Sequence, residues 1–129
     1  MILALRTDQL ESAISLYKES HLLDQFSWQA GRELSNTLLL NIDKILIKNE
    51  LRLNDLKAII VFQGPGSFTG LRIGITVANT LAYSLDIPVV AGEGDNWASS
   101  AISKIRSEEY TLGVSPVYGA PANITKQKK

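Results

Sequence analysis

Leu56-Lys57-Ala58-Ile59-Ile60-Val61-Phe62-Gln63-Gly64-Pro65-Gly66-Ser67-Phe68-Thr69-Gly70-Leu71-Arg72-Ile73-Gly74 is the stretch on which the fold turns. Leu56 to Phe62 is an almost unbroken apolar run, the pattern of a strand buried on both faces, and such strands are usually central and parallel. A glycine-rich turn, Gly64 to Gly70, follows. From Leu71 to Leu85 apolar residues recur at helical spacing until Asp86-Ile87-Pro88 breaks the pattern, and Val89 and Val90 begin another buried strand. A strand, a helix and a strand in that order favour a parallel crossover.

Upstream, Ile2 to Leu5, Ser12 to Tyr17 and Leu22 to Trp28 are short runs separated by the polar turns Thr7-Asp8-Gln9 and Lys18-Glu19-Ser20-His21, which predicts a three-stranded antiparallel meander. In the second run Ile14 and Leu16 face one way and Ala13, Ser15 and Tyr17 the other; in the third, Leu22, Asp24, Phe26 and Trp28 share a face. From Arg32 to Asn49 the period changes to about 3.6, with Leu34, Leu38, Ile42 and Ile45 in one row and Leu39, Leu40, Leu46 and Ile47 widening it beyond what one sheet face needs. Downstream, Asp95 is placed to cap a helix over 96–105 that aligns Trp97, Ala101 and Ile105, and Tyr110 to Val114 reads as a further strand. The polar, basic segment Gly119 to Lys129 reads as a flexible tail behind a single domain over residues 1–118. Three antiparallel strands followed by helix, strand, helix and strand make a mixed α/β sheet, an order compatible with the ribonuclease-H-like, actin-like arrangement.

The chain has 129 residues, 45% of them hydrophobic and 20% charged, which suits one modest core and excludes two full domains. Its formal net charge is zero, but three lysines lie in the last four positions, so residues 1–125 carry −3. No basic nucleic-acid face is visible in the body of the chain. Without cysteine there is no disulfide frame, thiolate nucleophile or Cys-ligated metal. The apolar start is too short for a signal peptide, and Gly70 to Leu85 falls short of the roughly 20 apolar residues that span a bilayer, so a soluble cytoplasmic protein is expected.

Catalytic sets are scarce. His21 is the one histidine, which leaves no Ser-His-Asp triad or His-rich metal site within one chain, and a solvated turn is its simplest setting. Asp8, Asp24, Asp55 and Glu93 could in principle bind a hard cation at strand ends, but where a nuclease of this fold wants a strand carboxylate the chain has Arg6. No metal ligand set and no cofactor are assigned. The turn Gly64, Pro65, Gly66, Ser67, Phe68, Thr69, Gly70 with Arg72 allows two readings. Backbone N–H groups at the helix start could receive an anion, although neither the P-loop ending nor the dinucleotide glycine spacing is present. Alternatively it is a tight turn in which glycines such as Gly66 take positive φ and Ser67 or Thr69 caps the helix. Along that helix Gly74, Ala78 and Ala82 form a row of small residues that admits a second helix or packs on a sheet, and Ile73, Val77 and Leu81 form a second apolar row. Two helices with spare apolar surface point to a helix-pair interface with a partner, formed by Leu38, Leu39, Ile42, Ile45, Leu71, Gly74, Ala78, Leu81 and Ala82.

Gly64-Pro65-Gly66-Ser67-Phe68-Thr69-Gly70-Leu71-Arg72-Ile73-Gly74 resembles the hallmark of the bacterial TsaB family, also called YeaZ. A weaker likeness runs from residue 1 to about 92 through Ile2-Leu3-Ala4, Arg32-Glu33, Leu38-Leu39 and Pro88-Val89-Val90, as a short form lacking most of the family's second half. The resemblance implies an actin-like fold and a non-catalytic role beside the catalytic, metal-bearing subunit TsaD, with a TsaE-like ATPase, in placing a threonylcarbamoyl group on the adenosine next to the tRNA anticodon. It implies that the helices from Arg32 to Ile47 and from Leu71 to Leu85 form a bundle with TsaD or with a second copy, and that tRNA is met only indirectly. Arg6-Thr7-Asp8 replaces the family's Ile-Asp-Thr-Ser-like opening and Leu34 stands where a His often follows Arg-Glu, which argues against nucleotide or metal at that end. The alternatives are a nucleotide- or anion-binding remnant of an actin-like ATPase and a self-associating module without a tRNA role.

Overall fold

The computed structural model describes residues 1–66 and 68–107. Its strands are β1 (Ile2–Arg6), β2 (Glu11–Lys18), β3 (His21–Gln29), β4 (Ala58–Phe62) and β5 (Val89–Gly92), and its helices α1 (Leu34–Lys48), α2 (Phe68–Leu85) and α3 (Trp97–Arg106). The strands form one mixed sheet in the order β3-β2-β1-β4-β5. β1, β2 and β3 pair antiparallel, while β4 pairs parallel with β1 on one side and β5 on the other. The expected meander and the buried central strand are both present, and every residue of β4 is buried.

Alternation divides the sheet's side chains between two helical layers. Leu3, Leu5, Ile14, Leu16, Ile59 and Val61 pack under α1 and α2, whereas Ile2, Ala4, Ala58, Ile60 and Val90 pack under α3. Leu34, Leu38, Ile42 and Ile45 are the buried row of α1, as their spacing requires. Both long helices stop by the same device. Glu50 and Asp86 adopt left-handed backbone (φ 58° and 57°), and the next residues return N–H bonds to the helix, Leu51 to the Leu46 carbonyl at 2.8 Å and Ile87 to the Ala82 carbonyl at 3.0 Å. These are Schellman closures in which the apolar residue after the turn also packs on the core.

Three local expectations change. Helix α1 is preceded by a 3-10 turn, Gly31–Glu33, so it starts at Leu34 rather than Arg32. The cap of α3 is Asn96, not Asp95, and no side chain bonds the helix start. In β3 the register shifts opposite Leu16/Tyr17, so Leu22 pairs with Tyr17 while Asp24, Phe26 and Trp28 pair with Leu16, Ile14 and Ser12. An extra residue in one strand of an antiparallel pair breaks the alternation, which is why Leu22 leaves the row of the other three. The strand expected at Tyr110 to Val114 and the tail from Gly119 lie outside the described residues.

Candidate partner face and glycine turn

The end of β1 and the start of α2 are fitted together through glycines. Thr7 Oγ1 donates a 2.7 Å hydrogen bond to the Gly70 carbonyl across 63 residues of sequence. A Cβ added to Gly70 would overlap the Thr7 carbonyl oxygen, and one added to Gly74 would overlap the Thr7 hydroxyl. Gly66 meets the other neighbour, because a Cβ there would stand 2.6 Å from Asp8 Cβ and 2.9 Å from Asp8 Oδ2. The motif's glycines are thus spaced to let α2 lie directly on the turn after β1. Positive φ is found at Gly64 (115°) and not at Gly66, whose requirement is space rather than backbone handedness. Thr69 lies in the first turn of α2 and not at its cap, while Ser67 lies outside the described residues.

Electrostatics at this end are settled within the chain. Arg6 Nε donates to Asp8 Oδ1 at 2.9 Å, and the Arg6 guanidinium stands 4.0 Å over the Phe62 ring. Asp8, only 9% exposed, lies beside Gly66 with its carboxylate held by the Arg6 guanidinium, which places a negative charge next to the glycine turn. A cleft of about 450 Å³ opens beside it, lined by Thr7, Asp8, Leu10, Arg32, Thr69 and Gly70 among others. The four carboxylates considered for a cation are scattered: Asp55 Oδ2 accepts from the Arg52 N–H at 2.8 Å, and Asp24 binds Lys48 and Asn49. Among the described residues no group of three or more His, Asp or Glu could hold a metal ion.

The residues expected at a helix-pair interface divide sharply. Leu38, Ile42, Ile45, Leu71, Gly74, Ala78, Leu81 and Ala82 are buried within this chain, and only Leu39, 52% exposed, is open to a partner. The small-residue row of α2 is used inward because Gly74 packs against Thr7, which brings Ala78 and Ala82, on the same side of the helix, down onto the sheet. What α1 and α2 offer outward is different. A groove of about 390 Å³ runs between them, lined by Ser35, Thr69, Arg72, Ile73, Thr76 and Val77. Ile73 and Val77 are half-buried there, and the exposed Leu39, Leu40 and Ile47 carry apolar surface along α1. The second apolar row of the sequence, Ile73 and Val77, was the available signal for this surface; Ser35 and Thr76 gave none.

A family model described as "TsaD: tRNA N6-adenosine threonylcarbamoyltransferase" matches residues 28–91. The chain is 37% identical over 90 residues to the tRNA threonylcarbamoyladenosine biosynthesis protein TsaB of Bacillus subtilis, covering 70% of this chain and 39% of that protein. To TsaB of Escherichia coli it is 33% identical over 89 residues, covering 69% and 38%. The solved structure of YeaZ from Pseudomonas aeruginosa superposes with a TM-score of 0.66 at 33% identity, over 71% of this chain and 43% of that one. The chain belongs to the TsaB (YeaZ) family. The shared fold is the ribonuclease-H-like, actin-like one that the sequence order suggested. This TsaB-family chain spans about two fifths of the length of the curated relatives it matches, and the matched part holds the glycine turn, α1 and α2. Among the described residues no helix is long and apolar enough to cross a membrane.

Proposed function

We propose that this TsaB-family chain serves tRNA threonylcarbamoyladenosine biosynthesis as a non-catalytic subunit that seats a TsaD-type partner on the outer face of α1 and α2. The observation that carries the reading is the Ser35, Ile73, Thr76, Val77 groove beside exposed Leu39, a largely apolar surface between two helices. A third helix laid along that groove would cover Ile73, Val77 and Leu39 at once. The names of the relatives support the pathway. A TsaE-like ATPase would join through the same assembly, tRNA would be met through the partner, and the work would be done in the cytoplasm. The nucleotide-binding alternative gains less support, because Asp8 presents a carboxylate to the glycine turn.

The test is light scattering of the full chain mixed with the TsaD protein of its own genome. A stoichiometric heteromer is expected, lost in the double variant Leu39→Glu with Thr76→Glu while its unfolding midpoint stays put. Undiminished affinity of that variant would move the contact elsewhere, and no association of the parent chain would withdraw the reading.

A further inference from the structure

The groove between α1 and α2 does not stop at the start of α2. Thr69 and Ile73 line it and also line the 450 Å³ cleft beside the glycine turn, so the two form one trough. It runs from Val77 past the starts of both helices to Leu10, in the turn after β1. Its two halves differ in chemistry. Around Ile73 and Val77 the walls are apolar with hydroxyl groups between, whereas the half toward β1 is cationic. Arg32, Arg72 and Asp8 are the charged side chains that line the trough, and Arg6 Nε already holds the Asp8 carboxylate at 2.9 Å. Glu33, the neighbouring acid, is not in the lining and accepts from the Asn36 amide at 3.1 Å. Arg32 is exposed and forms no hydrogen bond or ion pair among the described residues. The starts of α1 and α2 lie along the same stretch and add positive potential to that of the guanidinium groups. Leu10, 73% exposed, closes the far end with an apolar side chain.

We propose that the trough receives an acidic helical segment of the TsaD-type partner, with apolar side chains over Ile73 and Val77 and a carboxylate set against Arg32 where its end enters the cleft. Resting on the partner reading above, this adds the chemistry and the direction of the contact. Charge decides for an acidic segment. A basic residue entering the cleft would meet Arg32 and Arg72 with like sign, and an uncharged one would cover Arg32 without giving it a counter-charge. Continuity decides for a segment of the same partner, because whatever covers Ile73 and Thr69 from the groove also stands at the mouth of the cleft. Its length follows from α2 itself. Val77 and Thr69 are eight residues apart, about 12 Å at 1.5 Å per residue, so the carboxylate lies about two turns beyond the apolar side chain that covers Val77. Leu10 then takes an apolar side chain at the tip of the segment, which closes the cleft to water and strengthens the Arg32 ion pair.

The experiment is a calorimetric titration of the full chain with the TsaD protein of its own genome, at about 0.05 M and about 0.3 M salt. The parent should bind more weakly at the higher salt. Arg32→Glu should bind about tenfold more weakly than the parent at low salt and lose most of the salt dependence, with its unfolding midpoint unchanged because Arg32 is exposed and unbonded. Lys57→Glu makes the same change of charge at the opposite end of β1, where the Lys57 N–H bonds the Met1 carbonyl, and should alter the affinity less than about twofold. A heteromer indifferent to Arg32→Glu, or weakened equally by both variants, overturns the acidic segment and leaves the α1 and α2 contact standing. No heteromer with the parent withdraws both. A homodimer of the parent that Arg32→Glu dissolves overturns the proposal in favour of a second copy. ATP that raises the midpoint of the parent but not of Arg32→Glu overturns it in favour of a nucleotide.

Discussion

The inward and outward sides of α2 differ more than their compositions suggest. Gly70, Gly74, Ala78 and Ala82 lie against β1 and the sheet, whereas Ile73, Thr76 and Val77 line an open groove beside α1. The conspicuous periodicity of small residues therefore belongs to the fold, where it lets a helix approach within the reach of Thr7. The surface that stays open belongs to the less conspicuous row, where Ile73 and Val77, with Thr76 beside them, remain partly solvated. α1 repeats the division, with Leu38 fully buried and its neighbour Leu39 half exposed.

The strongest way to break this distinction is a charge on the inward row. Ala78 has no exposed surface, so Ala78→Glu should lose on the order of 4 kcal/mol by burying an unpaired carboxylate, read as a lower urea midpoint. A normal midpoint together with lost partner binding would instead place Ala78 at the interface. Gly70→Ala tests the close approach itself. Its Cβ meets a backbone carbonyl that cannot swing aside, and a loss of about 3 kcal/mol is expected in the same titration. The comparison sharpens on α1, where Leu38→Ala should cost about 3 kcal/mol through a cavity and Leu39→Ala less than about 0.5. Equal costs would mean that Leu39 is covered in the free chain.

The smallest effect concerns Asp24, on the β3 edge. The Asn49 amide, then the Gln25 N–H and Lys48, hold its carboxyl below the usual carboxylate range. A depressed native pKa stabilises the fold above the unfolded pKa, and the contribution disappears as the pH falls through the native value. Asp24→Asn should thus slightly lower the unfolding midpoint at neutral pH and match the parent in acid. Because this carboxylate is partly solvated, a large neutral-pH loss would show that Asp24 is covered in solution.

Much of the fold was legible because the decisive signals are local. The unbroken apolar run of β4, the change of period at α1 and the breaker Asp86-Ile87-Pro88 each arise within a few residues, and the strands and helices fall where those signals lie. The slips have physical causes of the same kind. The shift opposite Leu16/Tyr17 depends on how β2 and β3 settle against each other, and nothing in the alternation of β3 marks Leu23 as the extra residue that breaks its own row. The candidate site was less legible. Gly66 resembled a glycine chosen for handedness, yet what it accommodates is Asp8, 58 positions earlier in the chain.

By itself the sequence determined the element order, the buried parallel centre of the sheet and, through the glycine motif, the family. It could not determine which side of α2 faces inward. Gly74, Ala78 and Ala82 and the row Ile73, Val77 and Leu81 have the same four-residue spacing and lie one residue apart, so each satisfies the helical period equally. The choice was made by contact with a distant part of the chain. Thr7, held to the Gly70 carbonyl and pressed against Gly74, admits only a side of the helix that lacks side chains there. Close packing in three dimensions thereby selected the inward row, closed over Leu81 at the end of the other, and left Ile73 and Val77 half-open.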